Sequence, residues 1–161
     1  MRIIDTLSRE LILPELKATH KGQVLTELAQ AICTTHPELK NQEVEATLLE
    51  REKLGSTGIQ DGIAIPHGKL KDLTQIVVAF GRSREGISFD APDHRPTQLF
   101  FVLLAPENAT GLHLKILARL SRLLKNAGLR ERLVKAGDAE EIYQILSEAD
   151  SRLQESGVVS D

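Results

Sequence analysis

Two short runs without a polar residue limit the folds open to this chain. They are Ile76-Val-Val-Ala-Phe80 and Leu99 to Leu104. Each is too short for a good helix and has no polar side to show to water. Both therefore read as strands buried on two faces. Such strands need cover above and below, which a mixed sheet sandwiched between helices supplies. The helices are visible in the same sequence. Gln23 to Thr34 places Val24, Leu25, Leu28, Ala31 and Ile32 on one face at helical spacing, with Thr19 as cap. Asn41 caps a second helix that runs to about Leu54, with Val44, Leu48 and Leu49 inward and Gly55 at a left-handed stop. Leu112 to Asn126 is the strongest helical pattern, lined by Leu112, Ile116, Leu120, Leu123 and Leu124. Gly128 ends it. Leu129 to Ala136 forms a shorter helix, and Asp138 with Glu141 opens one that buries Ile142, Ile145 and Leu146. Leu7 to Leu16 reads as a short strand or ordered lead-in, Gly62 to Ile65 as a short strand, and Arg82 to Gly86 as a hairpin connection. From about Ser151 the periodicity fades into a tail expected to be mobile.

Composition narrows the function. A chain of 161 residues makes one domain, here residues 1–150, and buries enough surface to need no staples. The net charge of −3 offers no general attraction for nucleic acid, and scarce aromatics without Trp leave no base-stacking platform. Cys33 is the single cysteine, so no internal disulfide forms, and it reads as a small core residue. The first residues lack an apolar signal region, and no run approaches the roughly 18 apolar residues of a membrane span. The expected address is cytoplasmic, without membrane insertion.

The chemistry concentrates in Gly62-Ile-Ala-Ile-Pro-His67-Gly-Lys-Leu70. Proline stiffens the backbone before the histidine, and glycine after it allows a tight turn and close approach. His67 therefore sits where a strand ends, with one side open. A neutral imidazole supplies a nucleophilic nitrogen near neutral pH. His113 lies in the first turn of the strongest helix, where backbone N–H groups favour an anion; the plainer reading is a solvated first-turn residue. Arg51 precedes Gly55-Ser56-Thr57-Gly58, a loop whose N–H groups and hydroxyls can cradle phosphate oxygens beside a guanidinium; the plainer reading is a charged helix face. Asp61 either orients an imidazole or repels a bound phosphate. His20, His36 and His94 show no metal-ligand spacing, and no carboxylate cluster, nucleotide loop or Rossmann fingerprint is present. Neither a metal nor a cofactor is expected, nor a phosphoryl group drawn from a bound nucleotide.

Together, Arg51-Glu-Lys-Leu-Gly-Ser-Thr-Gly58 and Gly62-Ile-Ala-Ile-Pro-His67-Gly-Lys69 resemble the type-2 enzyme IIA domain. This is the fructose–mannitol family of the bacterial phosphoenolpyruvate-dependent phosphotransferase system. The resemblance runs from about Leu7 to Ala149, is weak over residues 82 to 96, and is closest to the nitrogen-regulatory branch. It implies a mixed, roughly five-stranded sheet covered by helices on both faces. It implies phosphotransferase activity through a phosphohistidine at His67, with His113 stabilising the phosphate, Arg51 binding it, and the Gly55, Ser56 and Thr57 loop holding its oxygens. The implied donor is HPr or its nitrogen-branch relative. Onward partners would be a IIB domain or regulatory targets such as a potassium transporter or sensor kinase. Ile65, Leu70 and Leu112 are candidates for an apolar docking patch; each reads equally as core, and for Ile65 core is the favoured reading.

Overall fold

Strand β6 (Thr97–Pro106) is the axis of the molecule, and Phe100 to Ala105 on it have no exposed surface. The computed structural model describes residues 2–160, with side chains to Leu153. β5 (Val77–Ile87) runs antiparallel to β6 and pairs Val78 with Leu103 and Phe80 with Phe101. The Phe80 and Phe101 rings meet edge to face at 4.9 Å on one side of the sheet, and those of Phe89 and Phe100 at 5.3 Å on the other. β1 (Leu7–Leu13) adds a parallel edge to β5. On the other side of β6 lie β3 (Ile63–Ala64) and β4 (His67–Leu70), both parallel to it, and β2 (Gly58–Ile59) extends β3 antiparallel.

The described residues thus form a mixed sheet of six strands, ordered β1-β5-β6-β3-β2 with β4 also on β6. The extra strand has a simple cause. Ile63 faces Leu99 and Ala64 faces Phe100; after the break, His67 faces Leu103 in the same register. One strand line is interrupted at Ile65-Pro66, where proline has no N–H to donate. His67 therefore opens a strand, where the sequence suggests that it ends one.

Helices cover both faces, as the apolar strands require. α1 (Lys21–Thr35) and α2 (Asn41–Lys53) bury Val24, Leu25, Leu28, Ile32, Val44 and Leu48 against Phe100, Val102 and Leu104. α3 (Thr110–Leu123), α4 (Ala127–Lys135) and α5 (Ala139–Ser160) bury Ile116, Leu120, Leu133, Ile142 and Leu146 against Leu99, Phe101 and Leu103. The inner faces follow the helical periodicity, while the ends differ by small steps. His20 and Lys40 precede α1 and α2, and Thr19 bonds to the Gln23 Oε1 instead of capping. α3 stops earlier than expected because the Asn126 Oδ1 accepts from Leu129 N–H at 3.0 Å and caps α4, which takes in Gly128. Asp138 accepts from Glu141 N–H at 2.9 Å, as its spacing suggests. The backbone of α5 stays helical past Ser151, so the start of the expected tail is ordered helix; the side chains beyond Leu153, and Asp161 entirely, lie outside the described residues.

The expected hairpin at Arg82 to Gly86 is also corrected. β5 continues through these residues to Ile87, with a register shift and a positive φ of 84° at Gly86. Arg82 is completely buried. Its Nε donates to Pro14 O at 3.0 Å, and its Nη1 donates to Leu133 O at 3.0 Å and Ala136 O at 2.5 Å. The free carbonyls and dipole of the α4 C-terminus thereby offset a buried cation. Replacing Arg82 with Met takes its donors from Pro14 O and Leu133 O, while Ala136 O keeps Arg84 Nη2 at 2.9 Å, and should cost about 3 kcal/mol. Thermal melts should show Tm falling by roughly 6–12 °C; an unchanged Tm would remove this clamp from the account of stability.

Candidate functional site

Pro66 breaks the strand, and the carbonyl just before it is turned to use. The Nδ1 of His67 lies 2.7 Å from Ile65 O. A carbonyl only accepts, so Nδ1 carries the proton and the lone pair is left on Nε2. That lone pair accepts from Arg51 Nε–H at 3.3 Å. Arg51 is set by the end of its own helix. α2 stops at Leu54 and Gly55, where a φ of 145° turns the chain, and Gly55 O accepts from Arg51 Nη1 at 2.9 Å. The neighbouring Glu52 is buried and pins the next loop. Its Oε1 accepts from Thr57 N–H at 3.0 Å, its Oε2 accepts from the Thr57 hydroxyl, and Lys21 Nζ sits 3.0 Å from Oε1.

This pinning corrects the expected phosphate loop. Ser56 Oγ donates to Phe89 O at 2.6 Å and accepts from Gly58 N–H, while Thr57 is committed to Glu52. Both hydroxyls face inward and neither lines the groove around His67. Gly55 contributes through its carbonyl on Arg51. Asp61 is not at His67 either. It has a φ of 69° and forms ion pairs with Arg95 at 3.8 Å and Arg130 at 3.7 Å, in a separate hollow beside α4.

His113 does reach the site. α3 starts just after β6, and its first turn carries the His113 ring to 5.5 Å from that of His67, nearly perpendicular to it. The His113 ring is buried, and its Nδ1 has no partner among the described residues, so its polar access is through Nε2. Lys69 lies two residues along β4 from His67 and donates to Thr110 Oγ1 at 2.7 Å. The sequence hides it because Pro66-His67-Gly68 reads as a turn, and a turn lacks the two-residue alternation that puts Lys69 on the His67 side.

These residues line a groove of about 590 Å³. Leu54, 85% exposed, and Leu114, 60% exposed, stand at its sides. Of the residues weighed for an apolar docking patch, Ile65 lies in the core, as favoured for it, Leu70 is also core, and Leu112 is half-buried against it. The signal for Leu54 and Leu114 is an apolar residue off the inward face of its helix.

Burial pushes the pKa of His67 below the ordinary histidine range. The Arg51 guanidinium adds to that push, against an opposing pull from the Ile65 carbonyl and Glu52. Burial also lowers His113, with the charges of His67 and Lys69 acting in the same direction. The site therefore offers a neutral imidazole nitrogen in an open groove, beside an arginine, a lysine and a second imidazole. This is the equipment for carrying an anionic group on nitrogen.

Fold and site together define an α/β domain that presents the His67 imidazole in an open groove at a sheet edge. Residues 5–149 match the family described as phosphoenolpyruvate-dependent sugar phosphotransferase system, EIIA 2, and the chain belongs to that family. It is 44% identical to a nitrogen regulatory protein of Bradyrhizobium diazoefficiens, over 91% of this chain and 95% of that one. It is 33% identical to a fructose-specific EIIABC component of Bacillus subtilis, over 93% of this chain but 24% of that longer one. The crystal structure of nitrogen regulatory protein IIA-Ntr from Neisseria meningitidis superposes with a TM-score of 0.84 at 39% identity, covering 89% of this chain and 98% of that one. The family carries phosphotransfer activity.

The depressed imidazoles make stability depend on pH. Below about 6.5, the ordinary value, the unfolded chain binds protons that folded His67 and His113 refuse. Stability from this source is complete above about 6.5 and is lost as pH falls from there through the folded values. NMR titration should place both rings below about 6.5. Urea unfolding between about pH 7.5 and 5.5 should show a smaller loss for His67→Gln than for the unaltered protein; equal losses would contradict the assignment.

Proposed function

We propose that this domain is a histidine phosphocarrier. Nε2 of His67 takes a phosphoryl group from the phosphohistidine of a small carrier protein, HPr or its nitrogen-branch relative. The observation that carries this reading is the Ile65 carbonyl on Nδ1, which leaves the reactive lone pair on the nitrogen facing the groove. In the transfer, Nε2 forms the new P–N bond in line as the donor imidazole leaves. Positive charge that builds on the ring is stabilised through Nδ1–H by the Ile65 carbonyl. Arg51 turns its Nε–H from the spent lone pair to the phosphoryl oxygens, and His113 Nε2 and Lys69 supply further donors. Positioning and charge stabilisation then provide most of the rate.

The groove is open because a second protein must reach the same nitrogen. Leu54 and Leu114 give the donor an apolar contact on each side, with charges at the rim. The carrier works in the cytoplasm on this reading, and no helix among the described residues is long and apolar enough to cross a membrane. The match to nitrogen regulatory proteins over nearly their full length favours a regulatory role. The added charge of about −2 would then alter binding to a target such as a potassium transporter or sensor kinase. The likeness to a fructose-specific component favours a second role, in which the phosphoryl group passes to a IIB cysteine.

Incubation with phosphoenolpyruvate, enzyme I and the phosphocarrier should give an acid-labile, base-stable phosphate on the protein. His67→Ala should take none; full labelling of that variant ends the proposal. Arg51→Ala and His113→Ala should slow uptake by about a hundredfold. Rapid loss of label to a purified IIB domain would select the sugar-uptake role. Leu54→Asp and Leu114→Asp should raise KM for the phosphocarrier by about tenfold or more with unchanged thermal melts. An unaltered KM would move the docking surface elsewhere.

A further inference from the structure

His67 and Arg51 meet around the edge of the sheet. Among the described residues β4 has a strand neighbour, β6, on one side only. Its side chains alternate. His67 and Lys69 face α3, where they meet His113 and Thr110, while Gly68 and Leu70 face the α1–α2 layer. Arg51 belongs to α2, on the far side of the strand from the His67 ring, and its guanidinium comes round the edge to Nε2. That reach requires α2 to lie close to β4.

Gly68 is where the two elements touch. A Cβ there would fall 2.5 Å from Thr47 Cγ2, closer than real Cβ atoms approach any neighbour. The next atoms, Thr47 Cβ and O, would lie at ordinary distances of 3.8 and 3.9 Å. The backbone at Gly68 does not need glycine, since positive φ among the glycines is confined to Gly55, Gly62 and Gly86. What this position needs is space. Thr47 stands one helical turn before Arg51, so both project from the same side of α2. Pushing Thr47 away from β4 carries Arg51 away from His67.

Taking the phosphocarrier reading as its basis, we propose that Gly68 is a positioning residue for phosphoryl transfer. Its missing side chain lets α2 approach β4 through Thr47 Cγ2, and that approach sets Arg51 on the His67 nitrogen. Gly68 lines the groove but has no side chain to offer the phosphoryl group. It acts through Arg51.

The test is the rate of label uptake from the phosphorylated carrier in a set of full-length variants. Gly68→Ala should be slower than the unaltered protein by about tenfold or more. The same change made together with Thr47→Ala, which removes the clashing methyl, should stay within about twofold of Thr47→Ala alone. Made together with Arg51→Ala, it should stay within about twofold of Arg51→Ala alone, because its effect is routed through the lost guanidinium. Uptake by Gly68→Ala at the unaltered rate overturns the proposal, and so does an equal loss in all three backgrounds, which would mark general damage to the fold. If Gly68→Ala alone does not fold, the Thr47→Ala pair decides, since it has room for the added carbon. A protein with native sequence that takes no label defeats the phosphocarrier reading and this proposal with it. Label on that protein, with no sensitivity to Gly68→Ala, defeats this proposal alone.

Discussion

Phe100 to Ala105 of strand β6 have no solvent on either face, and that single constraint places nearly everything else. Two helical layers exist because two faces of β6 must be covered. β5 takes one flank, and the interrupted line of β3 and β4 takes the other. Because β6 is continuous, the line beside it resumes in the same register after Pro66. A break in a free strand would let the following residues drift. Here the ladder catches them again at Leu103, and His67 arrives with its ring in a defined direction. The carbonyl next to the break then fixes which ring nitrogen holds the proton. A backbone fault thus becomes a tautomer choice.

The arginine is positioned by a second sequence of contacts, this time at a helix end. Lys21 meets Glu52, Glu52 holds Thr57 by both backbone and hydroxyl, and the loop so pinned contains Gly55, whose carbonyl holds Arg51. A buried carboxylate is expensive unless its oxygens are matched, and Glu52 has a donor on each. None of these residues except Arg51 reaches Nε2. Their work is to spare a long, flexible side chain the entropy of searching for its place.

Much of this arrangement is legible in the amino-acid sequence. The strands at residues 76–80 and 99–104 are readable because burial on two faces leaves no polar residue in the run. The helices are readable from their inward stripes. Pro66-His67-Gly68 marks the site because rigid backbone around a histidine is rarely idle. Other features are hidden for physical reasons. Arg82 looks like a turn residue because its partners are backbone carbonyls, which leave no trace in side-chain chemistry. Ser56 and Thr57 have the composition of an anion cradle, but composition does not say which way a hydroxyl points. Asp61 lies six residues from His67 in sequence, yet it pairs with Arg95 and Arg130 beside another helix. His113 and Arg51 are legible as candidates from a helix start and a glycine-punctuated loop, and the family resemblance implies their roles; the bond to Ile65 O and the contact of Thr47 with Gly68 are visible only in three dimensions.

The site draws one member from each layer: Arg51 from α2 above the sheet and His113 from α3 below it. Neither apolar cluster alone can assemble it. Any denatured copy of this chain still owns the imidazole of His67, but without a chosen tautomer or flanking donors. On the phosphocarrier reading, competence to be charged is therefore a census of molecules in which both halves have closed, and a fluctuation lifting either helix slows the acceptor while the sheet survives.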